Sequence, residues 1–144
     1  MTQIKFENEK TWFNAAASGQ TEELHSKYDM AVKTISKQFG LQYPLYINGE
    51  EIISKGGEFE NRSPNDTRIL LGRFQKGTRE DTTKAVDAAL KAYKKWSRTS
   101  YKSRIEIIRR AAKIIAERKF ELAAWMSFEN GKNRFESVGD VDET

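Results

Sequence analysis

The sequence predicts a mostly α-helical domain that carries a small antiparallel β-hairpin and sheet. Apolar residues recur at three- and four-residue steps through residues 21–39 and again from residue 78 to residue 130, the period of a helix with one buried face. Between them, "YPLYINGEEII" places two β-prone runs around Asn48-Gly49, a pair that adopts the positive φ angles of a type I′ turn. At 144 residues the chain has the length of one domain able to bury a core.

The first ordered unit expected is "TEELHSKYDMAVKTISKQFG". Leu24, Tyr28, Ala31, Val32, Ile35 and Phe39 share one helix face, with Glu22 and Glu23 in the first turn, Lys33 and Lys37 near the end and Gly40 as the closing residue. His25 falls outside that stripe and reads as a solvated surface histidine. After the hairpin, Lys55-Gly56-Gly57 reads as a flexible loop without phosphate-cradling spacing. "EFENRSPND" and "RILLGRFQKG" then read as two strands about a Ser63-Pro64-Asn65-Asp66 turn.

From Thr78 the pattern is helical. Thr78 is a good N-cap with Asp81 three residues on, a weak form of the capping box. Val86, Ala89, Leu90, Tyr93 and Trp96 are the expected buried stripe. A second helix is expected after Thr99 or Ser100, with Ile105, Ile108, Ala112 and Ile115 on one face and Ile107, Ala111 and Ile114 beside it. So wide an arc predicts burial between two partners. "KFELAAWMSFEN" turns Leu122, Trp125 and Met126 inward and ends at Gly131. The last stretch, "FENGKNRFESVGDVDET", reads as that helix end, a glycine turn and the first turns of a further helix that stops uncapped. The expectation is a chain cut from a longer protein.

Composition narrows the function. Charged residues are 32% and hydrophobic ones 38%, and no apolar run nears the roughly 20 residues of a membrane span. The N-terminus "MTQIKFENEK" lacks the apolar core of a signal peptide, so a cytoplasmic protein with no membrane partner is expected. The chain has no cysteine and one histidine. That removes disulfides, thiolate metal ligands and cysteine nucleophiles within these residues. No Ser/His/Asp set, metal-spaced cluster or phosphate loop is present, so no catalytic, cofactor-binding or metal residue is assigned. From Lys91 to Lys119, eleven Lys/Arg stand against Glu106 and Glu117 only. Such a run can hold phosphates, but here it is threaded through an apolar period, which favours a solvated face whose stems cover apolar neighbours.

The order of these elements resembles the N-terminal quarter of an NAD(P)-dependent aldehyde dehydrogenase, from Tyr43 to the end. "YINGE" is similar to the family's early strand-turn motif. "NRSPNDTRILLGRFQKGTREDTTKAVDAALKAYKKW" is similar to its Asn-Pro turn, strand and Asp-x-x-x-Ala-Val helix, with Ser63 a departure before Pro64. "SRIEIIRRAAKIIAERKFELAAWMSFENGK" is similar to the following helix pair with its closing Glu129, Gly131 and Lys132. Within the family the likeness is to the 1-pyrroline-5-carboxylate (glutamate-semialdehyde) dehydrogenase branch, on "FENE" at Phe6–Glu9 and "GKNRFESVGDVDE" at Gly131–Glu143.

The resemblance implies an α/β parent fold, aldehyde dehydrogenase-like, of which this is the mostly helical part. Residues 1–42 would be an N-terminal helical arm and residues 43–144 the incomplete N-terminal part of the cofactor-binding domain. It also implies oxidation of L-glutamate 5-semialdehyde to glutamate in proline catabolism, through cysteine attack, hydride transfer to the nicotinamide and thioester hydrolysis. In the family the cysteine, the general-base glutamate, the oxyanion asparagine, the cofactor-binding lysine and glycine motif and the oligomerisation hairpin all lie further along than any position here. The isolated chain is thus expected to be inactive and to bind neither NAD nor NADP by itself. Its expected partners are the remainder of the fold and copies of itself, as a homo-oligomer or by self-association.

One position carries over. The glutamate of the family branch's "DVxE", here Glu143, borders the substrate entrance, where a carboxylate would meet the substrate's α-ammonium group; the competing reading is a solvated glutamate on a last turn. Two other readings of the whole chain stay open: a basic helical module for nucleic acid or an acidic partner, and a split-gene structural subunit that completes a second chain.

Overall fold

The computed structural model describes residues 11–144; "FENE" at Phe6–Glu9 lies outside the described residues. A short helix, α1 (Thr11–Ser18), precedes the unit expected to come first. The next helix, α2, spans Thr21–Ile35 and tightens into a 3-10 turn at Ser36–Gln38. It therefore ends a turn earlier than its apolar period: Phe39 is extended, and Gly40, at φ +76°, closes the 3-10 turn rather than the α-helix. The predicted stripe is otherwise correct, with Tyr28, Ala31 and Ile35 buried and Leu24, Val32 and Phe39 packed beside them.

That stripe docks on two C-terminal helices, α5 (Lys119–Asn130) and α6 (Arg134–Glu143). Ala123 and Ala124 are fully buried, and their small side chains let α2 approach closely while Ile35 and Val138 fill the remaining space. Burying a side chain such as Ile35 contributes about 2 kcal/mol. A line of hydroxyls crosses this interior. Tyr28 donates to Ser127 Oγ at 2.6 Å, and Ser127 Oγ lies 2.8 Å from Ser137 Oγ, so α2, α5 and α6 share one satisfied polar chain. Asn65 Nδ2 donates to the Ser127 carbonyl at 3.2 Å and brings the turn at residues 63–66, between two strands of the sheet, onto the same helix. Gly131, at φ +76°, ends α5 in the left-handed cap that the sequence predicts.

Five short strands lie between the helices: β1 (Gln42–Tyr43), β2 (Leu45–Ile47), β3 (Glu50–Ile52), β4 (Glu58–Arg62) and β5 (Leu70–Gln75). β2 and β3 form the expected antiparallel hairpin with Leu45 opposite Ile52, and Asn48 and Gly49 take φ of 56° and 81°. β4 pairs antiparallel with β5, with an irregularity at Asn61/Arg62. The added β1 pairs parallel with β5, setting Tyr43 beside Phe74 with ring centroids 4.9 Å apart. The loop at Lys55-Gly56-Gly57 is tied down rather than flexible. Lys76 N–H donates to the Gly57 carbonyl at 2.8 Å, and Gly56 N–H donates to Ser54 Oγ at 3.1 Å.

Helix α3 (Arg79–Trp96) starts at the predicted Thr78 cap with both halves of the capping box in place, and α4 (Tyr101–Glu117) starts at Ser100. The burial expected for these two helices is not found. Val86, Leu90, Tyr93 and Trp96 on α3 are exposed, as are Ile105, Ile107, Ile108 and Ile114 on α4. Of α3 only Asp81 is buried, and of α4 nothing is. The helices and their apolar faces are where the period places them, but only the end of α4 is covered: Ile115 packs against the core, and no other segment of the described chain lies over the faces of Val86–Trp96 and Ile105–Ile108.

Candidate functional site

The one residue with a predicted claim on a ligand, Glu143, is the last residue of α6. The buried side of α6, formed by Ser137, Val138, Gly139 and Val141, seats it in the core. The opposite side turns Glu136, Asp140 and Glu143 toward solvent at helix-repeat spacing. Asn133 caps the start by accepting from Glu136 N–H at 3.0 Å. The last turn is not uncapped as expected, because Thr144 Oγ1 donates to the Asp140 carbonyl at 2.9 Å.

A cleft of about 290 Å3 runs along this face, lined by Lys132, Phe135, Glu136, Gly139, Asp140 and Glu143. Lys132 reaches in from the α5–α6 turn and pairs with Asp140. That hydrogen bond is the main reason the Lys132 ammonium is held above its ordinary pKa, with the charges of Asp140, Glu136 and Glu143 adding to it. The cleft thus sets three carboxylates against one ammonium, a net negative, open surface suited to a cationic group. Lys132, read from sequence as part of a structural turn only, belongs to it. Its signal was the (i, i+8) relation to Asp140 across the turn, which has no recognisable period. Among the described residues no group of three or more His, Cys, Asp or Glu is placed to hold a metal ion.

At the other end of α6, α1 and α2 clamp the helix. His25 is half-buried, which corrects the solvated reading: its ring lies 5.1 Å from that of Trp12, and its Nδ1 accepts from Arg134 Nη1 at 2.8 Å. Arg134 also meets Asp29 Oδ1 at 3.1 Å and lies over the Tyr28 ring at 4.7 Å. Near the C-terminal end, Lys119 Nζ meets Asp142 Oδ1 at 2.6 Å, with only 13% and 5% of the two side chains exposed. Contacts from α1, α2 and α5 therefore fix the pose of the helix that carries Glu143.

The basic run does not assemble into a site. Arg109, Lys113 and Arg118 pair with Glu106, Glu117 and Glu121, Lys119 is taken up by Asp142, and Lys91 faces the hairpin, so the run is spread over several surfaces. No helix among the described residues is long and apolar enough to cross a membrane.

Comparison with known proteins agrees with this architecture. The aldehyde dehydrogenase family model matches residues 52–144. The chain is 37% identical over 117 residues to a 1-pyrroline-5-carboxylate dehydrogenase of Staphylococcus haemolyticus, and 39% identical over 116 residues to one of Staphylococcus aureus. Each match takes in 81% of this chain but only 23% and 22% of the relative. The crystal structure of a Thermus 1-pyrroline-5-carboxylate dehydrogenase with bound NAD superposes on 99% of this chain, with a TM-score of 0.85 and 32% identity, and the match takes in 27% of that protein. The chain thus spans about a quarter of the length of the proteins it matches.

Proposed function

The chain belongs to the aldehyde dehydrogenase family, and from that premise we propose that it is the N-terminal portion of an enzyme oxidising L-glutamate 5-semialdehyde to glutamate with NAD or NADP in proline catabolism. The observation that carries this reading is the superposition of 99% of the chain on the Thermus enzyme at 32% identity. In the same reading, residues 1–42 are a helical arm and residues 43–144 the first part of the cofactor-binding domain. The location is cytoplasmic, and the assembled enzyme is a homo-oligomer.

Neither the α3 N-terminus nor the Gly56 loop offers a phosphate cradle. The N-terminus of α3 is closed by Thr78 and Asp81. A Cβ on Gly56 would lie 2.3 Å from the Lys76 carbonyl oxygen, so this glycine serves internal packing and does not open a phosphate cradle. In this reading the cysteine nucleophile belongs to the rest of the enzyme, since these residues contain no cysteine. The purified 144-residue chain is expected to show no aldehyde-dependent NAD(P) reduction, and turnover with contamination excluded would overturn that.

Glu143 is proposed as the carboxylate that meets the substrate's α-ammonium. The negative balance of its cleft supports the role. In the complete enzyme, Glu143→Gln should raise KM for glutamate semialdehyde roughly tenfold, the scale of one charge-assisted contact at an open site. It should leave KM for an aldehyde without an ammonium group unchanged. Equal effects on both substrates would reduce Glu143 to a solvated side chain.

A further inference from the structure

We propose that the apolar faces of α3 and α4 form one docking surface for the part of the aldehyde dehydrogenase fold that these 144 residues do not represent, and that the surface can capture that part as a separate polypeptide. The inference rests on the reading of the chain as an N-terminal portion. It goes further in naming the surface, its occupant and association in trans.

The surface is built from Val86, Leu90 and Tyr93 on α3 and Tyr101, Ile105 and Ile108 on α4, each between 42% and 65% exposed. Their spacing, four and then three residues on both helices, places each set on one face. On α3 this face points away from the hairpin, because the side toward β2 and β3 carries Lys84, Asp87, Ala88 and Lys91. The two helices meet at residues 97–100 but make no extended contact with each other, so neither covers the other's stripe. A soluble helix pair with both stripes open is an interaction surface in want of a partner.

Three observations select the occupant. The pair keeps the station it has in a complete enzyme, where the match covers 27% of the chain and the other segments are available to lie against it. The Staphylococcus relatives likewise have more than three quarters of their length outside the matched part. The two helices are basic on balance: Arg109 and Lys113 pair with Glu106 and Glu117, while Lys94, Lys95, Arg98, Lys102 and Arg110 are also exposed. A second copy on this surface would bring like charges together. It would also have to make two splayed, uneven stripes self-complementary, as a two-fold interface requires. A partner with an apolar centre and an acidic rim meets neither obstacle.

The test is co-expression of this chain with the polypeptide encoded directly 3′ of codon 144, supplied as a separate chain, followed by light scattering on the eluted species. A one-to-one complex is expected. The double variant Leu90→Asp, Ile108→Asp should weaken it at least tenfold without altering the circular dichroism of the chain, since both side chains are exposed. A complex indifferent to the double variant, a persistent homodimer of this chain, or no association would each overturn the proposal. A complex that forms, is broken by the double variant and yet does not oxidise glutamate semialdehyde would uphold the docking surface and sink the proposed substrate instead.

Discussion

Three donors converge on one oxygen of Asp81. Ser54 Oγ and Thr78 Oγ1 each donate to Oδ2 at 2.7 Å, and Thr78 N–H donates at 2.9 Å. The Ser54 bond first, then the two from Thr78, hold this carboxyl below the ordinary aspartate value of 3.8, at about 2. The sign of the pH effect follows from that depression. The stabilisation is complete above pH 4 and is lost as pH falls from about 4 to about 2, where the folded carboxylate takes up its proton. Asp81→Asn should therefore be less stable at neutral pH and should flatten the acid limb of a thermal-unfolding profile in that window. An unchanged acid limb would show that Asp81 does not govern it. Thr78→Ala removes the hydroxyl that accepts from Asp81 N–H at 3.2 Å and should cost about 1 kcal/mol in urea unfolding. Thr78 and Asp81 were legible as a cap because capping is a local, three-residue pattern. Ser54 was not, since its contact with Asp81 joins positions 27 residues apart.

At the scale of elements, ion pairs divide by burial. Lys119–Asp142 links α5 to α6 with both side chains almost enclosed, whereas Lys113–Glu117 lies along exposed α4. Asp142→Ala should destabilise the chain by about 2 kcal/mol, because it removes a charge-assisted hydrogen bond between two almost enclosed side chains. Lys113→Ala should change stability by less than about 0.5 kcal/mol. Equal losses in chemical denaturation would overturn the distinction. The same scale explains which elements could be read in advance. Long helices and the Asn48-Gly49 hairpin announce themselves by period and turn chemistry. β1 is two residues long, too short for a period, and exists because β5 offers it a parallel edge. α2 gives way to a 3-10 turn at Ser36 although its apolar spacing runs on to Phe39.

The whole molecule is lopsided: a packed unit of α1, α2, α5 and α6 bears a splayed α3–α4 pair with uncovered apolar faces. The isolated chain should bind a hydrophobic dye and, with its faces uncovered, self-associate weakly and without a defined stoichiometry as concentration rises. A compact, monodisperse monomer without dye binding would contradict that. Glu143 sits at the end of the packed unit, and the resemblance that singled it out was legible only as a motif; the cleft and its Lys132–Asp140 pair required the fold. The sequence alone determined the helices from Thr21 onward, the caps at Thr78 and Gly131, the hairpin, the direction of each apolar stripe and the likeness to the family, because each depends on residues close together along the chain or in a recurring order. The tertiary structure alone decided that Tyr28 and Ile35 are covered while Leu90 and Ile108 are not, that His25 is packed between Trp12 and Arg134, and that Lys132 joins the Glu143 cleft. The physical reason is that an apolar period belongs to a single helix, whereas burial needs a second surface, and only the folded chain shows which surfaces are there.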